Sequence, residues 1–242
     1  MNPTRQSIFH FKQFSLSNSR SAMKVGTDGV LLGAWAKLPD DKGVKRVLDV
    51  GCGTGLIALM IAQRFSDAVI KCIDISNDAV EECRENINNS PFASRVEVSL
   101  SDYRTFADGQ KYDLIVSNPP FFTEQLQSPD MLRAVARHED SLPLSTLFCR
   151  SSSQLAHGGR LAMVLPATRD EDVMFEATLN GLNPVRKCSV YSRENKPAIR
   201  TLWEFSKGNN DTFEKTRLLI QNSDGNYTEE YVALVKDFYL NF

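Results

Sequence analysis

One short segment limits the fold more than any other part of the chain: a strand-like run that ends in three closely spaced glycines and leads into a helical pattern. The run Val47-Leu48-Asp49-Val50 precedes Gly51, Gly53 and Gly55, and apolar residues then recur at helical spacing over residues 56–65. Glycines allow a tight turn and a close approach to a ligand, and the first amides of a helix favour an anionic or polar ligand. The pattern is G-x-G-x-G, so it departs from the G-x-G-x-x-G fingerprint of dinucleotide-binding folds. A purely structural turn is the alternative interpretation.

Strand-like and helical stretches alternate from this segment onward. The strand-like stretches are residues 46–50, 68–73, 96–100, 113–117 and 160–165, and helical patterns cover 56–65, 77–89 and 170–180. This alternation predicts a doubly wound α/β fold with a mostly parallel sheet. Two further strand-like runs, 185–191 and 199–205, predict a closing antiparallel pair, and residues 227–242 predict a final helix.

Length and composition exclude several classes of protein. The chain has 242 residues, of which 42% are hydrophobic and 24% charged, so it can form a core and is not disordered as a whole. No run of about 18 apolar residues is present, and the first residues lack the apolar stretch of a signal peptide, so we expect a cytoplasmic protein with no membrane partner. Five cysteines, none in a C-x-x-C pair, predict reduced thiols and no metal site.

The charge distribution places two basic segments in a chain whose net charge is −2. The residues before Asp28 include Arg5, Lys12, Arg20 and Lys24 and no acidic residue. Residues 186–200 carry five basic side chains and one acidic side chain. Such local clusters can bind phosphates even when the total charge cannot. Ordinary solvated surface is the alternative.

Acidic residues follow the next two predicted strands. Asp74 ends the second strand nineteen residues after Gly55, where a carboxylate can accept hydrogen bonds from both hydroxyls of a ribose. Asp102 follows the third strand, from which it could reach an adenine ring. Each aspartate alone is as compatible with a loop or a helix cap. Three consecutive strand ends that supply glycines and two aspartates to one crevice predict a nucleoside pocket.

The fourth strand ends in Ser117-Asn118-Pro119-Pro120-Phe121-Phe122, which is the most specific motif of the chain. An aromatic amino nitrogen is a poor nucleophile because its lone pair is delocalised into the ring. Two acceptors, the Asn118 side-chain oxygen and the Pro119 carbonyl, would orient that lone pair and stabilise the charge that develops during attack. Phe121 could stack on the flat substrate. No general base is required, since the proton can leave after the attack.

These motifs resemble the class I S-adenosylmethionine-dependent methyltransferases and, more closely, the bacterial tRNA1(Val) adenine methyltransferases. The resemblance is carried by F-K-Q-F at 11–14, M-K-V-G-T-D-G-V-L-L-G-A-W at 23–35, V-L-D-V-G-C-G-T-G at 47–55, E-N-I-N at 85–88, S-N-P-P at 117–120, N-Y-T-E at 226–229 and F-Y-L at 238–240. It therefore extends over nearly the whole chain. The family usually has Tyr after the two prolines, where this chain has Phe121, so stacking is kept and a hydroxyl is lost.

The resemblance implies a fold, a reaction and a set of site residues. The fold is a Rossmann-like sheet of seven strands, mostly parallel with a C-terminal antiparallel strand, in one domain at 44–242 preceded by an extension at 1–43. The reaction transfers a methyl group from S-adenosylmethionine, leaving S-adenosylhomocysteine, to the exocyclic amino group of adenine 37 next to the anticodon of tRNA1(Val), and the protein acts as a monomer. The expected cofactor residues are Thr27, Asp28, Asp49, Gly51, Gly53, Gly55, Asp74, Asp102 and Asn118. The expected catalytic residues are Asn118, Pro119, Pro120 and Phe121. The two basic segments, rather than the resemblance, predict the tRNA contacts Lys12, Arg20, Lys24, Arg193 and Arg200.

Other functions are compatible with the sequence alone. A methyltransferase acting on a glutamine amide of a translation factor has a similar N-P-P-aromatic site, but such enzymes have a helical recognition domain, and about forty residues precede the first strand here. A DNA adenine methyltransferase needs a target-recognition domain for which there is little room. An RNA-binding protein that has lost the reaction is the non-enzymatic alternative. His10 could stack on RNA or join an aromatic cluster, and His138 could line the substrate entrance; the sequence assigns neither a role.

Overall fold

The computed structural model describes residues 8–21, 25–39, 43–120, 142–208 and 212–241. The strands are Ile8–His10 (β1), Ser15–Ser17 (β2), Lys45–Val50 (β3), Ala68–Asp74 (β4), Val96–Leu100 (β5), Tyr112–Ser117 (β6), Leu155–Pro166 (β7), Leu182–Arg193 (β8), Ala198–Lys207 (β9) and Glu214–Gln221 (β10). The helices are Thr27–Trp35 (α1), Leu56–Arg64 (α2), Asn77–Asn88 (α3), Leu144–Gln154 (α4), Asp170–Leu179 (α5) and Glu229–Val235 (α6), with a 3₁₀ turn at Ala167–Arg169. None of the helices in these ranges combines the length and the hydrophobicity needed to span a membrane.

Eight of the described strands form one sheet in the order β10-β8-β9-β7-β6-β3-β4-β5. Strands β3 to β7 are parallel, and β9 is antiparallel to both β7 and β8. The predicted mostly parallel sheet and the antiparallel pair of β8 and β9 are confirmed. The expected count of seven strands is wrong, because β10 adds an edge strand parallel to β8. Its first half, Glu-Lys-Thr-Arg, is exposed and polar, so it shows no buried-strand pattern.

The order of the strands places a switch point between β3 and β6. From β3 the chain moves outward to β4 and β5 and then returns to β6 on the other side of β3. Ligands of open α/β sheets bind at the carboxyl ends of the strands beside such a point. Neighbouring residues of β3 pack on opposite faces: Val47 belongs to one buried cluster and Leu48 to the other. The sheet is therefore covered by apolar layers on both faces, as the alternating pattern predicts.

The N-terminal segment is attached to the sheet domain by buried aromatic rings and by one buried carboxylate. Phe11 is buried and stacks on Phe14 and Tyr239, with ring centroids 4.8 and 5.8 Å away. His10 is exposed and its Nδ1 lies 2.8 Å from the Ser15 hydroxyl. The final helix is shorter than predicted: it covers Glu229–Val235, because Thr228 caps its start and the chain then turns to pair Tyr239 with Phe11.

Glu82 on α3 is the carboxylate that holds this segment. Its side chain is 0% exposed and accepts hydrogen bonds from the backbone amides of Ser19 at 2.6 Å, Arg20 at 3.0 Å and Ser21 at 2.8 Å. Burial alone would raise its pKa, but these amides stabilise the charged form more strongly and lower the pKa to about 2. The ionised Glu82 therefore fixes residues 19–21 against α3.

Candidate active site

A cavity of about 690 Å³ opens at the carboxyl ends of β3, β4 and β6. Its volume lies in the range of about 300 to 1,000 Å³ that small-molecule and cofactor sites occupy. The predicted site residues that line it are Thr27, Asp28, Gly51, Gly53, Asp74, Asp102, Asn118, Pro119, Pro120 and Arg200. Motifs that are distant in sequence thus meet at one place, beside the switch point of the sheet.

The glycine-rich turn forms the floor of this cavity. Its three glycines have positive φ angles of 71°, 53° and 82° at Gly51, Gly53 and Gly55, which side chains with a Cβ adopt only with strain. The Gly51 amide donates to the Ile73 carbonyl at 2.9 Å, which fastens the turn to the end of β4. Gly55 does not line the cavity; a Cβ there would lie 2.8 Å from Cys83 Sγ. Gly55 therefore serves the close packing of the turn against α3.

Asp74 is oriented by two backbone amides. Its Oδ2 accepts from Gly53 at 2.9 Å and its Oδ1 accepts from Ser76 at 2.9 Å. Each carboxylate oxygen has two acceptor positions, so both oxygens keep capacity for a further donor. The carboxylate is thus fixed at the cavity wall in a position from which it can accept hydrogen bonds from a bound hydroxyl pair.

Asp102 lies in the cavity wall with a basic partner, Arg104, that is absent from the expected site residues. The Arg104 guanidinium contacts its carboxylate at 2.7 Å, and the Arg104 amide donates to Oδ1 at 2.9 Å. Arg104 also lines the cavity. The sequence signal that could have identified Arg104 is its position two residues after an aspartate that follows a strand. A ligand at this wall would meet an acid–base pair.

Asp49 lies behind the cavity and does not line it. Its side chain is completely buried, and its Oδ2 accepts from the Ala58 amide in the first turn of α2 at 3.2 Å. Its Oδ1 has no hydrogen-bond partner among the residues that the structure describes. Burial raises the pKa of the Asp49 carboxyl well above its ordinary range. The position fits a role in holding the turn and the start of α2 rather than direct contact with a ligand.

The N-P-P motif follows β6 directly and lies beside the glycine-rich turn, because Ser117 pairs with Val50 at the end of β3. The Ser117 hydroxyl donates to the Val50 carbonyl at 3.0 Å and ties the end of β6 to the end of β3. Asn118, Pro119 and Pro120 all line the cavity. Phe121 lies outside the described residues. Asn118 and Pro119 therefore line the same cavity as the glycine-rich turn and Asp74.

The outer wall of the cavity comes from the antiparallel part of the sheet. Val190, Ile199 and Ile220 supply an apolar surface, and Arg200 supplies a charge. The sequence did not reveal this apolar wall, because its residues follow the strand pattern of an ordinary sheet core. Arg200, expected to contact tRNA, donates from Nε to Asp28 Oδ2 at 2.7 Å.

The other basic residues expected to contact tRNA and described by the structure lie outside the cavity. Lys12 Nζ donates to the Lys236 carbonyl at 2.6 Å, and Arg193 Nε donates to Gln221 at 3.3 Å. Arg20 pairs with Glu85, with N–O distances of 2.9 and 3.0 Å. Part of the positive charge in these segments is thus balanced within the protein. The basic residues outside the described ranges are Arg5, Lys24, Lys42, Arg133, Arg137 and His138.

Two basic residues of the second cluster are also engaged internally. Arg186 contacts the buried Glu204 at 3.0 Å and stacks over Trp35 at 4.1 Å. Lys187 contacts Asp170 at 2.6 Å. Arg200 is paired as well, with Asp28, but its side chain is 31% exposed, against 13% for Arg186 and 22% for Lys187.

Known proteins match this chain over most of its length. A family model described as methyltransferase small domain matches residues 30–192. A tRNA1(Val) (adenine(37)-N6)-methyltransferase of Parabacteroides distasonis is 45% identical over 96% of this chain and 97% of its own length. A protein of the same name from Bacteroides fragilis is 42% identical over 97% and 98%. A solved structure of a predicted O-methyltransferase from Agrobacterium tumefaciens superimposes with a TM-score of 0.69 at 18% identity, covering 87% of this chain and 96% of its own, which concerns the fold alone.

Proposed function

The chain belongs to the tRNA1(Val) (adenine(37)-N6)-methyltransferase family, and on this premise we propose that it transfers a methyl group from S-adenosylmethionine to the exocyclic amino group of adenine 37 in tRNA1(Val). The observation that carries the proposal is the meeting of the N-P-P motif and the glycine-rich turn on one cavity, in a chain whose relatives of that name match it over nearly their full length. The fold is that of the class I methyltransferases.

The residues of the cavity fit S-adenosylmethionine. The cavity has the volume of a cofactor site, glycine backbone forms its floor, and the Asp74 carboxylate keeps acceptor capacity for the two ribose hydroxyls. When bound, the cofactor supplies an electrophilic methyl group on a sulfonium sulfur. Gly51, Gly53 and Asp74 would hold its nucleoside part, Asp102 with Arg104 would border the adenine, and Thr27 and Asp28 would border the donor end.

The N-P-P motif would act on the amino group that is methylated. The Asn118 side-chain oxygen and the Pro119 carbonyl would accept hydrogen bonds from the amino group, direct its lone pair and stabilise the positive charge that develops there. The hydrogen bond of 3.0 Å from the Ser117 hydroxyl to the Val50 carbonyl joins the motif to the strand that leads into the turn. The two acceptors would therefore be positioned before the substrate arrives. The proton leaves to solvent after the attack. Pro120 keeps this segment rigid, and Phe121 would stack on the adenine.

The tRNA would be held by the basic residues Lys12, Arg20, Lys24, Arg193 and Arg200. Arg20 and Arg200 must exchange a carboxylate for a phosphate to do so. The ion pair of Arg20 with Glu85 is exposed, and such surface pairs contribute only about 0 to 1 kcal/mol, so its exchange costs little. The target adenine would leave the anticodon-loop stack and enter the cavity beside the apolar wall of Val190, Ile199 and Ile220. We further propose that one monomer, with residues 1–43 packed on the domain at 44–242, binds one anticodon stem-loop.

Methyl transfer to defined transcripts tests the proposal. Purified protein and labelled S-adenosylmethionine are incubated with tRNA1(Val) or with the same transcript carrying guanine at position 37, and the product nucleosides are identified by mass spectrometry. The proposal expects N6-methyladenosine from the first transcript and none from the second. Methylation of a glutamine in a translation factor, or no transfer to either RNA although the cofactor binds, would contradict it.

A further inference from the structure

Three buried cysteines from three separate elements meet directly behind the glycine-rich turn. Cys52 lies in the turn, Cys72 on β4 and Cys83 on α3, and they are 6%, 0% and 0% exposed. Their Sγ atoms all lie within 4.8 Å of one another, and those of Cys52 and Cys83 are 3.8 Å apart. The sequence has no C-x-x-C pair, so only the fold brings these thiols together.

The 3.8 Å between the sulfurs of Cys52 and Cys83 matches the spacing in a metal–thiolate centre, and Cys72 Sγ lies within 4.8 Å of both. With metal–sulfur bonds of about 2.3 Å, sulfurs arranged around a tetrahedral or trigonal ion are separated by roughly 3.8 to 4.0 Å. Soft ligands such as thiolates select soft ions, for example Zn²⁺, Cd²⁺ and Cu⁺. Cys83 Sγ packs against Gly55, the N-cap of α2, since a Cβ at Gly55 would lie 2.8 Å from it, and a helix N-terminus stabilises a thiolate near it.

We propose that Cys52, Cys72 and Cys83 bind one soft d¹⁰ metal ion as a trithiolate site that is separate from the methyl-transfer residues. For a divalent ion, three S–H bonds break and three metal–sulfur bonds form. The three protons leave to solvent, and the oxidation state of every atom is unchanged. The centre joins the turn, β4 and α3 by one ion, so it fixes the turn whose glycines border the cavity.

The three sulfurs differ in their access to solvent. Cys52 lines the cavity, whereas Cys72 and Cys83 lie fully buried behind it. The cavity is therefore the entry path of the ion, and a ligand bound there slows its uptake. This second step rests on the proposed function, because it takes S-adenosylhomocysteine as the occupant of the cavity.

Cadmium titration of the reduced full-length chain tests the site. The binding of Cd²⁺ by thiolates gives an ultraviolet charge-transfer band, and the bound metal is counted by elemental analysis after gel filtration. We expect one ion per chain and a loss of affinity of tenfold or more in Cys72→Ala and in Cys83→Ala. Cys188→Ala, which removes a buried cysteine outside the cluster, and Cys149→Ala, which removes an exposed one, should stay within twofold of the wild type.

The cadmium titration of the wild-type protein can overturn the proposal even if the cysteine variants do not fold. Absence of a charge-transfer band at one equivalent of Cd²⁺, or a band that disappears in Cys149→Ala or Cys188→Ala, contradicts the trithiolate site. Saturating S-adenosylhomocysteine should slow cadmium uptake at least tenfold, and an unchanged rate contradicts the entry path. If calorimetry shows that S-adenosylhomocysteine does not bind at all, the proposed function fails, while the metal count still decides the site.

Discussion

Arg200 and Asp28 form an ion pair at the cavity wall, with 2.7 Å between Arg200 Nε and Asp28 Oδ2. Arg200 lies on β9 and Asp28 in the first turn of α1, so the pair joins elements that are 172 positions apart in the sequence. From the sequence we expect the arginine to bind tRNA and the aspartate to bind the cofactor. In the fold both residues line the same cavity.

Arg200 and Arg193 should contribute to the salt dependence of tRNA binding. The double variant Arg193→Ala/Arg200→Ala should reduce the slope of log affinity against log salt by a little under one unit for each phosphate that the protein no longer binds. Lys12→Ala/Lys24→Ala should act in the same way, and because Lys12 lies outside the cavity, this double variant should leave cofactor affinity unchanged. Binding isotherms at several salt concentrations measure this, and Arg169→Ala, whose side chain pairs with Asp172 on the surface, is the control. Unchanged slopes in both double variants would place the RNA elsewhere, for example along Arg133 and Arg137.

Asp74 should matter mainly for the affinity of the cofactor. Asp74→Ala removes the acceptor for the ribose hydroxyls, which should cost about 2 kcal/mol, or roughly thirtyfold in the dissociation constant. Calorimetry with S-adenosylhomocysteine measures the loss. Asp78→Ala changes an exposed aspartate of α3 and should leave the affinity unaltered. Wild-type affinity in Asp74→Ala would remove Asp74 from the cofactor site.

Glu82 gives the free energy of unfolding a defined pH dependence. Its pKa is about 2 in the folded chain against an ordinary value of 4.5, so its stabilising contribution is complete above pH 4.5 and is lost as the pH falls towards 2. The shift corresponds to about 3 kcal/mol. Glu82→Gln should be less stable than wild type by up to this amount at pH 7, and the difference should disappear near pH 2. Urea unfolding at both pH values measures it.

A matched control lies beside Glu82 on the same helix. Glu81 is about half exposed and its carboxylate lies 3.8 Å from the Arg20 guanidinium. Glu81→Gln should therefore change the free energy of unfolding by less than about 1 kcal/mol at either pH. A Glu82→Gln variant as stable as Glu81→Gln at pH 7 would show that the amides of residues 19–21 do not depend on the Glu82 charge.

Phe121 should contribute through its aromatic face. Phe121→Ala should lose about 1 to 3 kcal/mol of base stacking, whereas Phe121→Tyr, the usual residue of the family, should be tolerated or improve turnover. Steady-state rates with tRNA1(Val) measure both variants, and Phe122→Ala tests whether any neighbouring ring has the same effect. Equal activity of Phe121→Ala and wild type would refute stacking.

Local signals in the sequence predicted the parallel half of the fold. Each of the strands β3 to β6 is a short apolar run followed by turn residues. Their ends lead into the glycine-rich turn, Asp74, Asp102 and Asn118, and these reach the same cavity because the strands are parallel. Asp49 has the same local signal, yet the structure buries it behind the turn. Sequence position at a strand end therefore predicts proximity to the site but not contact with it.

Long-range pairings could not be predicted from the sequence. The contact of Cys52 with Cys83, the ion pair of Arg200 with Asp28 and the attachment of residues 19–21 to Glu82 each join residues between 31 and 172 positions apart along the chain, and no periodic pattern records such a contact. The edge strand β10 was missed for a different reason: half of it faces solvent, and its polar residues hide the strand pattern.

The role of Asn118 as an acceptor for the attacking amine is the central claim, and single-turnover methyl transfer tests it most directly. Asn118→Ala is mixed in excess with S-adenosylmethionine and a limiting amount of tRNA1(Val), and the rate of N6-methyladenosine formation is followed after cofactor affinity has been measured separately. We predict nearly unchanged cofactor affinity and a rate lowered by about a hundredfold or more. Transfer by Asn118→Ala at close to the wild-type rate would show that the N-P-P motif is structural and would contradict the proposed mechanism.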